Sequence, residues 1–159
     1  MKSGTMQKSE QEAFIERCRA VGLKATPQRV EIYRELAGTK EHPDAETVYS
    51  RVRRRLPAIS FDTVYRTLRS FSEHGLILRM STSGDRARFD ADTSEHHHFI
   101  CERCGTIIDF DAERVGPELL PEELSTVGRL HSFHIEVRGI CRSCENKEQN
   151  KKKGAKNHE

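Results

Sequence analysis

The chain has 159 residues, of which 35% are hydrophobic and 33% charged, and its formal net charge is +2 at pH 7. This length accommodates one domain or two small ones. No apolar run reaches the ~18 residues of a membrane span, and the first residues lack the apolar region of a secretion signal. We therefore expect a cytoplasmic protein that does not associate with membranes.

Charge is distributed unevenly along the chain. Residues 1–90 contain 17 Lys and Arg against 12 Asp and Glu, whereas residues 91–146 contain 5 against 11. The net charges are thus +5 and −6, and residues 147–159 return to +3. A polyanion would select the basic half, although solvated helix faces are also often basic. This asymmetry predicts two domains with different partners, at 10–90 and 91–145, between disordered ends at 1–9 and 146–159.

Apolar periodicity and end signals predict four short helices in the first half. They span residues 10–21, 26–37, 44–56 and 60–75, with Thr26, Asp44 and Ser60 as N-caps. Two short strands follow at 76–80 and 86–90, with a turn at 81–85. Helices followed by a small hairpin are typical of a winged helix-turn-helix domain.

The second half is predicted to form an α/β domain with few core residues. Strands at 99–101 and 106–110 flank a Cys-x-x-Cys pair, a short helix is predicted at 117–127, and residues 131–140 alternate as a half-buried strand. Zinc would stabilise this domain, and dimerisation through its sheet would cover the strand edges. The predicted fold class is therefore α+β.

Two Cys-x-x-Cys pairs carry the strongest chemical signal. Cys101 and Cys104 are separated by 36 residues from Cys141 and Cys144. A two-residue gap lets both sulfurs of a pair bind one ion from a tight turn, so two pairs complete a closed Zn²⁺ site. Reduced pairs or disulfides are the alternative. The fifth cysteine, Cys18, lies in a helical pattern and is expected in the core.

The fourth helix is the predicted DNA-reading element. Its apolar face contains Phe61, Val64, Leu68 and Phe71. Its predicted DNA-binding residues are Ser60, Thr63, Tyr65, Arg66 and Arg69. Arg66 could pair with guanine, and the arginines at 51 and 53–55 suit phosphate contact. The alternative is that these are solvated faces of an ordinary helical bundle.

Consecutive histidines at 96–98 indicate a second metal site. On an extended segment His96 and His98 point to one side and His97 to the other. With Asp90 and Asp109, and with a nitrogen from His42, they form a mixed ligand set suited to Fe²⁺, Mn²⁺ or Zn²⁺. The alternative is a surface accident or an adventitious nickel binder.

Several of these segments resemble, in order, those of the ferric uptake regulator (Fur) family. They are HPDAETVY at 42–49, ISFDTVYRTL at 59–68, GLI at 75–77, EHHHFIC at 95–101 and CGTIIDF at 104–110. The second Cys-x-x-Cys follows Gly139, as in the family, and the resemblance covers about residues 10–145. It implies a homodimeric, metal-dependent transcriptional repressor of palindromic AT-rich operator DNA, and not an enzyme.

The resemblance also implies the ligand sets. Structural zinc would be held by Cys101, Cys104, Cys141 and Cys144. Regulatory Fe²⁺ or Mn²⁺ would be held by His42, Asp90, His96, His98 and Asp109. His97 receives no ligand role. Phe133 occupies the position where members with a further metal site have His, which speaks against such a site here.

Asp at positions 90 and 109 is typical of the peroxide-sensing PerR-type subgroup, whereas iron-responsive Fur-type members usually have Glu at both. The PerR-type hypothesis is that His42 or His96 is oxidised when H₂O₂ reacts at bound Fe²⁺, and that DNA is then released. Peroxide is the signal, and no other small-molecule substrate is expected. The first alternative is a Fur-type repressor that responds to iron occupancy. The second is a zinc-ribbon metal chaperone or interaction module that does not bind DNA.

Overall fold

The computed structural model describes residues 7–81, 86–111, 120–129 and 133–155. The chain forms two compact units, Met1–Thr93 (unit 1) and Ser94–Glu159 (unit 2). The predicted α+β class is confirmed, with a winged helix-turn-helix in unit 1 and an α/β arrangement with four clustered cysteines in unit 2. In the described part of the chain, no helix has the length and apolar character that crossing a membrane requires.

Unit 1 contains helices followed by a two-stranded wing. Its elements are α1 (Lys8–Ala20), α2 (Pro27–Ala37), α3 (Ala45–Arg53), α4 (Phe61–Glu73), β1 (Leu78–Ser81) and β2 (Ala87–Asp90). The three predicted caps are present: the side chains of Thr26, Asp44 and Ser60 each accept a backbone N–H three residues later. Helix α3 ends earlier than predicted because residues 54–55 form a tighter closing turn ahead of Pro57.

Apolar side chains from the four helices build the core of unit 1. Phe14 of α1 stacks on Tyr33 of α2 at a ring-centroid distance of 3.8 Å and contacts Phe71 of α4 edge-on at 5.4 Å. Cys18 is fully buried in the same core, as expected. Since burying side chains of this size contributes about 1.5–3 kcal/mol each, the core fixes α4 against the other helices.

The wing is attached to the loop that precedes α3. Strands β1 and β2 are antiparallel, with Met80 opposite Arg88. On the other edge of β2, the Phe89 N–H donates to the Pro43 carbonyl at 3.1 Å, and Asp44 forms an isolated bridge with Arg88. Strand β2 is thus held on both edges. The predicted turn at 81–85 lies, apart from its first residue, outside the described residues.

Unit 2 is a small sheet followed by a helix. Its elements are β3 (His96–Cys101), β4 (Ile107–Asp111), α5 (Leu124–Val127), β5 (Glu136–Gly139) and α6 (Arg142–Ala155). The strand order is β4-β3-β5, in which β4 is antiparallel and β5 parallel to β3. A parallel pair is possible because the chain between β4 and β5 is long enough for a crossover.

Three predicted elements of unit 2 differ from the structure. The helix predicted at 117–127 is present at Leu124–Val127, and its first three residues lie outside the described residues. The strand predicted at 131–140 is Glu136–Gly139, with residues 131–132 outside. The predicted disordered tail from residue 146 is helical in α6 as far as Ala155. Its Lys, Glu and Gln residues favour helix, and Glu148 pairs with Arg103 at 3.0 Å.

Candidate functional site

The first Cys-x-x-Cys pair lies in the turn between β3 and β4. Cys101 ends β3, and the turn closes when the Gly105 N–H donates to the Cys101 carbonyl at 2.8 Å. Gly105 has a φ of +68°, a conformation that glycine adopts without steric cost. The Cys101 N–H donates to the Thr106 carbonyl at 2.9 Å. Both sulfurs are thereby presented on one side of the turn.

The second pair begins α6, immediately after β5. The N–H groups of Cys144 and Glu145 donate to the Cys141 carbonyl at 2.9 and 3.0 Å, which starts the helix. The Cys141 N–H donates to Cys101 Sγ at 3.3 Å. The two pairs, far apart in sequence, therefore meet because β3 and β5 are neighbours in the sheet.

The four sulfurs have the spacing of a tetrahedral metal site. All four lie within 4.8 Å of one another, and Cys104 Sγ is 3.7 Å from Cys141 Sγ. Sulfurs placed about 2.3 Å from a tetrahedral zinc would be separated by about 3.8 Å. A disulfide would require about 2.05 Å, and all four cysteines are free thiols. The donor set thus fits Zn²⁺.

The surroundings lower the thiol pKa of two cysteines in this cluster and raise the thiol pKa of a third. The backbone N–H groups of Cys141 and Cys104 lower the pKa of Cys101 to about 6. The Thr106 hydroxyl and N–H lower the pKa of Cys104. Burial, reinforced by the surrounding sulfurs, raises the pKa of Cys144 to about 12. Thiolates this close repel one another, so holding all four deprotonated requires a cation among them.

In unit 1, the predicted regulatory ligands His42 and Asp90 are in direct contact. His42 lies in the loop before α3 and is 2% exposed, and Asp90 ends β2. His42 Nε2 lies 3.0 Å from Asp90 Oδ2. His42 has a φ of +48°, a left-handed conformation that is unusual for a residue with a side chain and is common at functional sites.

In unit 2, the other predicted ligands lie on one face of the sheet. His96 and His98 of β3 point to the same side, with ring centroids 4.5 Å apart. Asp109 is opposite His98 on β4, and its Oδ1 lies 3.7 Å from His98 Nε2. His96 Nδ1 donates to the Ser94 carbonyl at 2.9 Å, so that nitrogen carries the proton. The lone pair of His96 Nε2 is then available for a metal.

His97 faces the opposite side of β3 and belongs to the core of unit 2. It is fully buried, and its ring lies 5.4 Å from both Phe110 and Phe133. Its Nδ1 accepts the Ile135 N–H at 3.3 Å. The predicted alternation of the three histidines is therefore present, and the residue without a predicted ligand role has a structural one.

The residues predicted to contact DNA lie at the start and on the exposed side of α4. Ser60 caps the helix, and its Oγ lies 2.8 Å from Thr63 Oγ1. Tyr65, Arg66 and Arg69 are exposed. The two arginines face acidic residues one turn away, Arg66 with Asp62 and Arg69 with Glu73. These pairs are exposed and weak, so a phosphate can compete for the arginines.

The structure differs from the predicted apolar face of α4 at Phe61, and it pairs two of the arginines at 51 and 53–55 with acidic residues. Phe61 was expected in the apolar face but is 42% exposed, where its ring contacts Tyr49 and Tyr65. The buried face of α4 instead includes Thr67, together with Val64, Leu68 and Phe71. Among the arginines predicted to suit phosphate contact, Arg51 pairs with Glu41, and Arg55 with Glu31 and Glu35. Arg53 and Arg54 remain at the exposed end of α3.

The family of the chain follows from comparison with known proteins. The model of the ferric uptake regulator family matches residues 20–137, well over half of the sequence. The chain belongs to the ferric uptake regulator (Fur) family. The resemblance drawn from the motifs is thereby confirmed, and the protein is a metal-responsive regulator of this family.

Relatives within the Fur family include proteins named for different signals. The peroxide-responsive repressor PerR of Staphylococcus aureus (strain Mu50 / ATCC 700699) is 34% identical over 139 residues, covering 87% of this chain and 93% of the relative. The structure of Helicobacter pylori Fur, described with three functional metal-binding sites, has a TM-score of 0.68 and 27% identity, covering 91% of this chain and 97% of that chain. Pseudomonas aeruginosa Fur with manganese has a TM-score of 0.66 and 30% identity, covering 80% and 96%.

Proposed function

We propose that this Fur-family regulator is a DNA-binding transcriptional repressor that senses hydrogen peroxide in the PerR manner. The observation that carries the proposal is the pairing of a histidine with an aspartate in each unit, His42 with Asp90 and His98 with Asp109. Aspartate at both positions is the PerR-type choice, and the relative that is 34% identical bears the name peroxide-responsive repressor.

The proposed regulatory metal is Fe²⁺ or Mn²⁺, held by His42 and Asp90 of unit 1 and by His96, His98 and Asp109 of unit 2. Imidazole and carboxylate ligands suit these ions. An ion that takes ligands from both units would fix the angle between them. Metal binding and DNA binding would then strengthen each other reciprocally.

When bound, Fe²⁺ would activate H₂O₂ next to its ligands. Overall, one peroxide oxygen would be inserted into an imidazole C–H, the other would leave as water, and the ring would supply both electrons. The protein supplies an imidazole that can be lost as a ligand: His42 and His96 are both buried, which keeps their rings at the site. An oxygen added to either ring makes it a poorer ligand, so the metal-dependent arrangement would be released and DNA with it. Mn²⁺ would support DNA binding without this oxidation.

The four cysteines are proposed to hold structural Zn²⁺. Support comes from their spacing, which matches a sulfur tetrahedron, and from thiol pKa values that leave Cys144 protonated when no cation is present. Four protein ligands leave no open position for chemistry, so the zinc would stabilise unit 2 and take no part in sensing.

DNA recognition is proposed to use two copies of α4 in a homodimer. Each helix would enter a major groove of a palindromic AT-rich operator, with half-sites about 34–36 Å apart. Ile108 of β4 and Val137 of β5 are exposed and lie on either side of Phe99 in the sheet. They support dimerisation through unit 2, since clustered exposed apolar residues commonly mark an interface.

The second candidate is a Fur-type repressor that reports iron by occupancy alone. It shares the ligand types and the fold, and the solved relatives from H. pylori and P. aeruginosa are ferric uptake regulators. It differs in one respect, because peroxide would leave every ligand chemically unchanged. The zinc-ribbon chaperone interpretation loses its support, because the Fur-family match includes α4 and the wing.

The proposal is tested by measuring DNA binding before and after peroxide. The duplex would be a palindrome selected by the protein from a randomised pool, and affinity would be followed by fluorescence anisotropy. Addition of H₂O₂ should release DNA from Fe²⁺-loaded protein and leave the Mn²⁺-loaded complex intact. If peroxide leaves both complexes bound, the occupancy mechanism replaces the peroxide mechanism. If neither metal promotes binding to any selected duplex, the repressor proposal is wrong.

A further inference from the structure

Every second residue from Arg86 to Asp90, in and just before β2, points toward the loop that carries His42. Side chains alternate along a strand, so Arg86, Arg88 and Asp90 lie on one face of the β2 segment. Phe89, on the other face, is 2% exposed and packs in the core of unit 1. The segment is thus anchored by one face and carries two cations and a proposed metal ligand on the other.

Each member of this row contacts the loop or the start of α3. Arg86 Nη1 lies 2.8 Å from Glu46 Oε2 and 3.5 Å from Asp44 Oδ2. Arg88 Nη1 donates to the His42 carbonyl at 3.4 Å. Asp90 Oδ2 lies 3.0 Å from His42 Nε2. The contacts follow one another along β2, from the end nearest the wing turn to the end that holds the proposed ligand.

The contact made by Arg88 is to His42, the residue with the unusual backbone conformation. His42 has a φ of +48°, a left-handed conformation that is uncommon for a residue with a side chain and that its surroundings help to hold. Arg88 binds the His42 carbonyl, and the next N–H along β2, that of Phe89, binds the Pro43 carbonyl at 3.1 Å. The direction of the His42 ring therefore depends on the position of β2.

We propose that Arg88 is a positioning residue that couples the His42–Asp90 pair to the wing. This inference rests on the proposed function, in which these two residues bind the regulatory metal. When both side chains share one ion, the end of β2 is fixed to the loop, and Arg88 passes that constraint to the rest of the strand. The metal then acts on the wing within unit 1, in addition to any effect on the arrangement of the two units.

The test compares Arg88→Gln with Arg79→Gln as a matched control. Arg79 is exposed on β1 and pairs with Phe89 across the hairpin, so its replacement removes the same charge from the wing without touching the loop. The affinity for a selected palindromic duplex is measured at one salt concentration with and without Mn²⁺. Mn²⁺ affinity is measured separately by calorimetry, and folding by the thermal midpoint.

The ratio of the two DNA affinities reports the coupling. Couplings of this kind typically amount to about 5–150-fold in the unaltered protein. In Arg88→Gln the ratio should fall toward 1, by up to about tenfold, which is the effect of losing a hydrogen bond from a charged donor. Arg79→Gln should keep the wild-type ratio, and its DNA affinity should fall only by the salt-dependent contribution of one cation. Arg88→Lys, which keeps the charge with a different donor geometry, should fall between the two.

An Arg88→Gln protein with the wild-type ratio would overturn the inference, because the residue would then carry no coupling. If its DNA affinity also falls equally with and without Mn²⁺, by as much as in Arg79→Gln, Arg88 is an ordinary phosphate contact. If Arg88→Gln does not fold, the ratio measured for Arg88→Lys decides in the same way. Failure of the proposed metal-dependent repression is distinguishable, because wild-type protein would then have no Mn²⁺-dependent rise in DNA affinity at all.

Discussion

Replacement of His97 by alanine tests how unit 2 holds its metal-facing strand. The ring is fully buried between Phe110 and Phe133, and its Nδ1 accepts the Ile135 N–H. Removing a buried ring from such a position costs about 2–3 kcal/mol in packing. Leaving the Ile135 N–H without an acceptor adds about 1–3 kcal/mol. We therefore expect zinc-loaded protein to lose about 3–6 kcal/mol of its free energy of unfolding, a large part of a typical stability of about 5–15 kcal/mol.

Urea unfolding followed by circular dichroism gives the free energy of unfolding. His97→Gln keeps an acceptor oxygen and should recover about 1–2 kcal/mol of the loss. His134→Ala is the matched control, because this histidine is exposed and donates to the His96 carbonyl at 3.3 Å. We expect a loss of less than about 1 kcal/mol for His134→Ala. If His97→Ala and His134→Ala differ by less than about 0.5 kcal/mol, the structural role assigned to the buried ring is refuted.

Further predictions concern zinc, pH, peroxide and DNA. Cys101→Ser should abolish zinc retention after dialysis, measured by atomic emission, whereas Cys18→Ser should retain one zinc per chain. In zinc-free reduced protein the folded-state pKa of Cys101, about 6, lies below the usual value of 9.0, so its contribution to stability is complete above pH 9 and is lost as pH falls through 6. The thermal midpoint should respond accordingly, and the response should be smaller in Cys101→Ser, where Cys104 still has a lowered pKa. Asp109→Glu should weaken peroxide sensitivity while Mn²⁺-dependent repression persists, and undiminished sensitivity would contradict the subgroup argument. Arg66→Ala should weaken binding to the selected duplex by about 1–3 kcal/mol and relax base preference at one position, whereas a uniform loss across sequences would mean a phosphate contact.

Local chemistry made much of unit 1 and of the four-cysteine cluster predictable. Thr26, Asp44 and Ser60 cap their helices as expected, because capping depends on residues only three positions apart. The clustering of the two cysteine pairs was equally predictable from the sequence, since metal geometry restricts which residue types and spacings can form a closed site. Alternation along β3 likewise placed His96 and His98 on one side and His97 on the other.

Features that depend on tertiary neighbours could not be predicted. Phe61 has the helical spacing of a core residue, but its exposure follows from its position on the first turn of α4, beside Tyr49 and Tyr65. Arg55 was grouped with surface arginines, and its pairing with two glutamates of α2 depends on how α2 and α3 pack. The acceptor role of His97 required knowledge of which backbone N–H lies opposite its ring.

Mass spectrometry of the regulatory ligands tests the central claim most directly. Protein loaded with Fe²⁺ would receive stoichiometric H₂O₂, beside a Mn²⁺-loaded control, and the peptides containing His42 and His96 would be compared. The peroxide-sensing account predicts one added oxygen atom on one of these peptides in the iron sample only. An unmodified iron sample that nevertheless binds DNA in a metal-dependent way would contradict that account and leave a repressor that responds to iron by occupancy.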